Sequence, residues 1–175
     1  PSQSAGGIEN SDWKNIGGGD GFWVQVDGMN PDIVYSESQG GDIIHTDLKQ
    51  GKAFNIKPQQ ALNDEKLRFN WNTPIVIGQK NKRNLYISSQ YLYKSVDEGK
   101  NWTKISPDLT TNNKEKQKQE ESGGLSADNT SAENHCTIFT IAESSLDDNL
   151  IWAGTDDGNL QYTTDGGKTW INVAA

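Results

Sequence analysis

Cysteine and histidine are scarce in this chain of 175 residues. Cys136 is the lone cysteine, so no disulfide can form within the chain. His45 and His135 stand 90 positions apart, and this spacing matches no zinc-binding pattern. No apolar run approaches the roughly 20 residues that a membrane-spanning helix needs. We therefore expect no metal, no cofactor and no membrane insertion.

Basic residues are also few, with 16 Lys and Arg against 24 Asp and Glu. The formal net charge of -8 argues against nucleic acid as a partner, because neutralising phosphates requires Lys and Arg. Arginine occurs only as Arg68 and Arg83. The chain begins at Pro1 without a basic and apolar leader, so we expect any signal peptide to lie outside this sequence.

Glycine and tryptophan, by contrast, are abundant, with 18 Gly and 6 Trp, while only 32% of the residues are hydrophobic. Many short strands joined by Gly-rich turns fit this composition better than a helix bundle, which is rich in Ala, Leu, Glu and Lys. The length suffices for one domain with its own core. The composition therefore favours an all-β fold.

Two short segments repeat the same pattern, S/T-x-D-x-G-x-x-W. Residues 95–102 read SVDEGKNW and residues 163–170 read TTDGGKTW. In both copies the Trp opens a W-x-x-I/V segment, which ends at Ile105 in the first copy and at Val173 in the second. An earlier segment, WKNI at residues 13–16, repeats only this last part.

A weaker copy ends at Phe54, with Asp47 at the acidic position and Gly51 three residues before the aromatic ring. The aromatic residues Trp13, Phe54, Trp102 and Trp170 are separated by 41, 48 and 68 positions. The last interval contains a polar segment at about residues 107–134, and without it the spacing returns to about 40. Such a period, filled with short strands, is typical of a β-propeller.

Each period contains four short β-branched or aromatic runs that are bounded by Gly, Asn, Asp or Pro, which predicts a four-stranded antiparallel blade. The first run is the most continuously apolar, so we expect it to be the innermost, doubly covered strand. Residues 1–16 are predicted to close a preceding blade. Residues 17–58, 59–106 and 135–175 then form blades 1, 2 and 3. Residues 107–134 form an insertion, either an inert surface loop or a flap that contacts a partner.

The two complete boxes resemble Asp-box (BNR) repeats. The sequence outside the boxes resembles that of bacterial sortilin/Vps10-like propeller proteins, which are often labelled as glycosyl hydrolases. It is carried by GGGDGFWV (17–24), YSESQGG (35–41), RFNWNTPI (68–75), ISPDLT (105–110) and IWAGTDDGNL (151–160). The resemblance covers nearly the whole chain. It implies a propeller fold and an extracellular or periplasmic location, but it says little about activity.

A structural role is predicted for the box residues. A carboxylate in the turn between the third and fourth strands can accept backbone N–H bonds, and the Gly suits a backbone with positive φ. The Trp is expected to bury its ring between blades. The residues assigned to this role are Asp47, Ser95, Asp97, Gly99, Trp102, Thr163, Asp165, Gly167 and Trp170.

If the boxes occupy the turns between third and fourth strands, these turns lie on one face of the propeller, the box face. The opposite face, called here the loop face, carries the segments before each first strand and the loops between second and third strands. These segments converge towards the central axis and can line one pocket, in which Trp rings stack on sugars and polar groups bind hydroxyls. In the alternative, the rings pack between blades and the polar groups form turns. The candidate ligand-binding residues are Asp20, Trp23, Glu37, Asn70, Trp71, Asn72, Asn134, His135, Asp156 and Asp157.

Three functions are compatible with such a propeller. A sialidase needs an arginine cluster, which two arginines cannot supply. A xyloglucanase-like glycoside hydrolase needs two opposed carboxylates about 5–10 Å apart, and Asp20, Glu37, Asp42, Asp156 and Asp157 are candidates without a diagnostic spacing. The preferred interpretation is a non-catalytic module that binds a glycan, a peptide or a protein.

The number of blades predicts a further partner. Three blades do not close a ring that normally has four to eight. We therefore expect the remaining propeller, or self-association, to complete the ring and to cover apolar blade flanks.

Overall fold

The computed structural model describes residues 6–62, 64–121 and 134–174. Within them, twelve strands form three four-stranded sheets, and in each sheet the strands lie side by side in chain order with antiparallel neighbours. The predicted fold class is confirmed: the chain is all-β, with three successive four-stranded blades. In this part of the chain no helix is long and apolar enough to cross a membrane.

The strands follow the apolar runs of the sequence. Blade 1 contains β1 Val24–Val26, β2 Ile33–Glu37, β3 Ile43–Asp47 and β4 Lys52–Asn55. Blade 2 contains β5 Ile75–Ile77, β6 Leu85–Ser88, β7 Leu92–Ser95 and β8 Thr103–Lys104. Blade 3 contains β9 Ile138–Glu143, β10 Ile151–Thr155, β11 Leu160–Thr163 and β12 Ile171–Asn172. Short 3₁₀ helices occupy Asn10–Asp12, Lys114–Gln117 and Gln119–Glu121.

The hydrophobic core lies between the blades. One cluster joins Ile33, Tyr35 and Ile43 of blade 1 to the β5 and β6 residues of blade 2. A second cluster joins Tyr86 and Leu92 of blade 2 to the β9 and β10 residues of blade 3. Each blade is therefore stabilised mainly by its neighbour, because a single sheet cannot bury both of its faces alone.

The hydrogen-bond register makes the blades directly comparable. After the fourth strand of blade 1, the Ile56 N–H donates to the Ile43 carbonyl. The equivalent bonds run from the Ile105 N–H to Leu92 and from the Val173 N–H to Leu160. Ile56, Ile105 and Val173 thus occupy one position in the three blades, as the W-x-x-I/V pattern predicts for the last two.

The weak copy of the box in blade 1 has a different register from the one predicted. Phe54 pairs with His45, as Thr103 pairs with Lys94, so Phe54 occupies the position of Thr103 and not that of Trp102. Its ring stacks on His45, with 4.5 Å between the centroids. The prediction that matched Phe54 to the box Trp is off by one residue, since only strand pairing fixes which face a side chain takes.

Burial does not peak on the first strands. Every residue of β2 and of β6 is buried, whereas Val24 and Val26 of β1 are exposed. The expectation that the first strand is doubly covered therefore does not hold for blade 1. In blades 1 and 2 the second strand is the most completely buried strand of its sheet.

The connection between blades 2 and 3 is partly integral to the core. Leu109 is fully buried in the second cluster, and its carbonyl accepts hydrogen bonds from the Asn159 and Gln161 amides of blade 3. The start of the predicted insertion is thus packed, while residues 122–133 lie outside the described part. At the other end, residues 13–16 form no strand, so the closing strand of a preceding blade stays a prediction.

Candidate functional site

The box of blade 2 is held by hydrogen bonds within its own turn. The Asn101 N–H donates to Asp97 Oδ1 at 2.9 Å, and the Gly99 N–H donates to Ser95 Oγ at 2.9 Å. The Ser95 hydroxyl itself donates to Asp97 Oδ1 at 2.8 Å. The hydrogen bonds from Asn101 hold the pKa of Asp97 below its usual value, because they favour the ionised carboxylate.

The box of blade 3 repeats this pattern. The Thr169 N–H donates to Asp165 Oδ1 at 2.9 Å, and the Gly167 N–H donates to Thr163 Oγ1 at 3.0 Å. The Thr169 hydroxyl donates to Asp165 Oδ2 at 2.6 Å, and this bond is the main cause of the lowered pKa of Asp165. Both box carboxylates are thus engaged with their own turns.

Asp47 differs from these two carboxylates. Its Oδ1 accepts the Gln50 N–H at 2.8 Å, and its carbonyl accepts the Gly51 N–H at 2.9 Å. Asp47 lies on β3 and pairs with Lys52, while Asp97 follows the end of β7. It therefore stabilises a shorter turn at a different register, and its assignment to a structural role stays a prediction.

The box Trp residues reach across to the preceding blade. Trp102 Nε1 donates to the Ile56 carbonyl at 2.6 Å, and Trp170 Nε1 donates to the Ile105 carbonyl at 3.1 Å. These bonds cross the blade 1–2 and blade 2–3 interfaces at equivalent positions. The box face is consequently built from locked turns and from contacts between blades.

On the loop face, the carboxylate of Asp156 joins two blades. Its Oδ1 accepts the Thr137 N–H at 3.0 Å, and its Oδ2 accepts the Thr137 hydroxyl at 2.6 Å. Asn70 Nδ2, from the segment before blade 2, donates to the same Oδ2 at 3.2 Å. His135 Nδ1 lies 3.6 Å from Asp156 Oδ1, with the histidine side chain 30% exposed. Asn70, His135 and Asp156 thus form one cluster between blades 2 and 3.

The neighbouring asparagines order the backbone of this cluster. Asn70 Oδ1 accepts the Asn72 N–H at 3.0 Å, and the Asn70 carbonyl accepts the Thr73 hydroxyl at 2.7 Å. Asn134 Nδ2 donates to the Phe69 carbonyl at 2.8 Å, which ties the start of blade 3 to the segment before blade 2. These contacts engage the side chains of Asn70 and Asn134, whereas Asn72 takes part only through its backbone N–H.

Arg68 anchors this face and was not among the predicted site residues. Its side chain is 8% exposed and bridges Asp108 Oδ2 at 2.7 Å, Glu65 Oε1 at 3.1 Å and the Cys136 carbonyl at 3.1 Å. Only the rarity of arginine in the sequence singled it out. Asp108 and Cys136 lie 40 and 68 positions from Arg68 in the chain, so no local motif indicates these two contacts.

Glu37 lies apart from this cluster, between blades 1 and 2. It is 2% exposed, and its Oε1 accepts the Gly41 N–H at 3.0 Å. Burial raises the pKa of Glu37 to about 7, although the bond from Gly41 favours the ionised form. Lys57 Nζ, which donates to the Gly40 carbonyl at 2.8 Å, is close enough to oppose this rise through its charge.

The remaining candidates take separate positions. Trp71 packs edge-to-face against Phe22, with centroids 6.4 Å apart, and Trp23 packs against the first core cluster. Asp157 Oδ2 accepts the N–H and the hydroxyl of Thr111, each at 2.7 Å. The Asp20 N–H donates to the Gln39 side chain. The ten candidates therefore do not converge on one cluster.

Two clefts flank these residues. A cleft of about 380 Å³ is lined by Asn134 and His135, by Lys114 of a 3₁₀ helix, and by Lys118, which directly follows that helix. A cleft of about 630 Å³ separates the segment at residues 14–21 from the outer face of blade 1. Among the described residues, no three His, Cys, Asp or Glu side chains are grouped to hold a metal ion.

Comparison with known proteins identifies the class of fold. No protein-family model and no curated protein matches the chain. An ancestral GH74 enzyme is similar in structure, with a TM-score of 0.53 and 14% identity, over 90% of this chain and 18% of that one. A GH74 enzyme of Niastella koreensis gives 0.49 and 18%, over 87% and 22%. YCF48 from Cyanidioschyzon merolae gives 0.46 and 14%, over 88% and 37%.

At such low identity the similarity to the ancestral enzyme shows the fold alone. The chain is a β-propeller segment of about three blades. It spans less than a quarter of the length of the two GH74 enzymes. Neither activity nor ligand follows from the comparison.

Proposed function

We propose that the chain is a non-catalytic propeller module that recognises a glycan, peptide or protein ligand through its loop face. The observation that carries this proposal is the bonding of Asp156. Both of its oxygens accept hydrogen bonds from Thr137, and Asn70 adds a third hydrogen bond from another blade. A carboxylate that is saturated in this way positions a surface and has little capacity left for proton transfer.

The other carboxylates support the same conclusion. Asp157 is engaged by Thr111, and Glu37 is almost completely enclosed. A glycoside hydrolase needs two carboxyl groups on opposite sides of an accessible bond, about 5–10 Å apart. The hydrogen bonds of Asp156 and Asp157 and the enclosure of Glu37 do not favour that role, whereas binding requires only a stable surface with exposed polar and aromatic groups.

The groups available to a ligand are the partly exposed His135, Asn72 and Trp71. An aromatic ring can stack on a sugar face or on a peptide side chain, and the imidazole can donate or accept a hydrogen bond. Membership of the Asp-box repeat class and a location outside the cytoplasm, which the sequence resemblance implies, belong to this proposal.

Binding assays with loop-face variants test the proposal. The full chain is titrated with a glycan panel and a peptide panel, and the titration of the best ligand is repeated with His135→Ala and Trp71→Ala. We expect each variant to weaken binding roughly ten-fold, which is about 1.4 kcal/mol. Trp13→Ala removes an exposed ring elsewhere and serves as the control. Equal loss in this control, with His135→Ala unaffected, would contradict the assignment.

A second candidate function, part of a glycoside hydrolase, is favoured by Glu37 alone. A carboxyl group with a pKa of about 7 is partly protonated at neutral pH, as a general acid must be. The same polysaccharide panel tests this alternative through product formation. Turnover that disappears in Glu37→Gln would replace the binding proposal with the hydrolase.

A further inference from the structure

One flank of blade 3 exposes residues whose counterparts in blades 1 and 2 are buried. Tyr35, Tyr86 and Trp152 occupy the same position, because their cross-strand partners are His45, Lys94 and Tyr162 in matching registers. Tyr35 is 1% exposed and Tyr86 is 0% exposed, since each faces the following blade, but Trp152 is 37% exposed. The same contrast holds for Leu160, which is 42% exposed, whereas its counterparts Ile43 and Leu92 are 1% and 0% exposed. Phe139, Ile171 and Val173 are also exposed on blade 3.

The residues that cover this position in the other two interfaces belong to the box of the following blade. Trp102 Nε1 donates to the Ile56 carbonyl, and Trp170 Nε1 donates to the Ile105 carbonyl. The box glycine approaches the same residue: a Cβ at Gly167 would lie 2.3 Å from the Ile105 carbonyl oxygen. Each interface is therefore closed by an indole donor and by a position where only Gly fits.

We propose that this flank of blade 3, formed by Phe139, Trp152, Leu160, Tyr162 and Val173, is the docking surface for a further blade that carries a complete box. Val173 occupies the position of Ile56 and Ile105. The incoming box Trp donates its indole N–H to the Val173 carbonyl, and the box Gly lies against it. This surface is separate from the loop face and does not depend on the ligand proposed there.

A second copy of the chain does not supply such a blade. In blade 1, Phe54 occupies the position of Thr103, so Ala53 stands where blade 2 has Trp102. Blade 1 therefore lacks the indole donor.

The outer face of blade 1 is also partly occupied by its own chain. The Ser36 hydroxyl donates to the Ile16 carbonyl at 2.9 Å, and residues 14–17 line clefts against β3 and β4. An incoming blade 3 would have to displace this segment. The exposed flank of blade 3 therefore favours a blade with a complete box as its partner. Blade 1 of a second copy of the chain fits this flank less well.

The test extends the chain by one complete blade. A second copy of residues 106–175 is joined directly after Val173, which reproduces the native spacing after Ile105. Acrylamide quenching of Trp152 is the difference in fluorescence quenching between each protein and its Trp152→Phe version. In the extended chain, this substitution is made in the original copy and not in the appended one. In the extended chain this quenching should fall by roughly half or more, because the ring becomes enclosed, and the melting temperature should rise.

Two variants within the appended blade test whether the protection of Trp152 depends on the box residues. Trp170→Phe in that copy removes the indole donor while retaining a ring, and Gly167→Ala fills the close approach. Both should lower the melting temperature of the extended chain and restore part of the Trp152 quenching. Equal quenching of Trp152 in the extended and the original chain would overturn the proposal.

The competing occupant is tested with the unextended chain. If Trp152 became protected from acrylamide as the protein concentration rises, and Val24→Glu on the outer face of blade 1 abolished that protection, the occupant would be a second copy of the chain. We expect instead that Trp152 stays accessible across the concentration series and that Val24→Glu leaves the extended chain unchanged.

Discussion

The two faces of the propeller are held together by contacts of different range. On the box face, Asp97 bonds to Asn101 and Asp165 bonds to Thr169, each four positions away. On the loop face, Asn70 bonds to Asp156 across 86 positions, and residues brought together in this way belong to different blades. The box carboxylates therefore depend on local turns, and only the box Trp residues reach another blade, whereas the cluster around Asp156 on the loop face needs two packed blades.

This difference predicts different responses to mutation. Removing one group from a box turn frees partners that are exposed to water and can rehydrate. Removing one group from the loop face leaves buried partners in other blades without a counterpart, which costs more free energy. The following changes test the two faces against each other.

The largest effect is expected for Arg68→Met on the loop face. Asp108 loses the guanidinium at 2.7 Å while still mostly buried, and the Cys136 carbonyl loses its donor. Breaking a buried ion pair from one side costs about 3–5 kcal/mol of unfolding free energy. Urea denaturation measures this loss, and Arg83→Met, at an exposed arginine, should change stability by less than about 0.5 kcal/mol. A similar loss in both variants would refute the role of Arg68.

The second test compares two glycines with the same backbone angle on opposite faces. Gly167 in the box and Gly158 in the loop of blade 3 both have φ of 100°. Alanine adds backbone strain of about 1–3 kcal/mol at either site, but only at Gly167 does the new Cβ collide with the Ile105 carbonyl. We expect Gly167→Ala to lower the melting temperature clearly more than Gly158→Ala. Equal shifts would show that close packing between blades does not matter there.

The third test uses the pH dependence of stability at Glu37. Its folded-state pKa of about 7 is raised, so the folded protein binds more protons than the unfolded chain between about pH 4.5 and 7. Stability from this group therefore falls as pH rises through that window. Glu37→Gln removes this effect. The free energy of unfolding of the variant should therefore fall less between pH 5 and pH 8 than that of the parent, and the difference should be on the order of 2 kcal/mol. Parallel profiles from paired denaturation curves would contradict this.

The smallest effect is expected for Asp97→Ala in the box of blade 2. Loss of a turn-capping carboxylate costs about 1–2 kcal/mol. The lowered pKa means that this contribution is present above the unfolded value of about 4 and is lost as pH falls through the folded value. The plots of unfolding free energy against pH for the variant and the parent should therefore converge in strong acid. Unchanged melting together with lost ligand binding would make Asp97 a binding residue.

The fold was predictable because its signals are local. The boxes and the runs of β-branched and aromatic residues set the period, and each of the twelve strands overlaps one of these runs. The register of Phe54 was missed because the turn after β3 has its own geometry, which only the pairing of Phe54 with His45 shows.

The loop face was predictable only in part. The loop position of Asp156 and the segment containing Asn70 followed from the order of strands, and the structure brings both together. The contact of Arg68 with Asp108 spans 40 positions and joins the segment before blade 2 to the connection after it. No periodicity encodes such a contact, so sequence reasoning assigned residues 107–134 to an insertion.

Amide hydrogen exchange of the full chain, with and without its best-binding glycan or peptide, tests the central claim most directly. If the loop face recognises the ligand, protection should increase at residues 70–73, 134–137 and 156–158. The box turns at residues 97–101 and 165–169 should exchange at the same rate in both states. Protection confined to the box turns would contradict the proposed function.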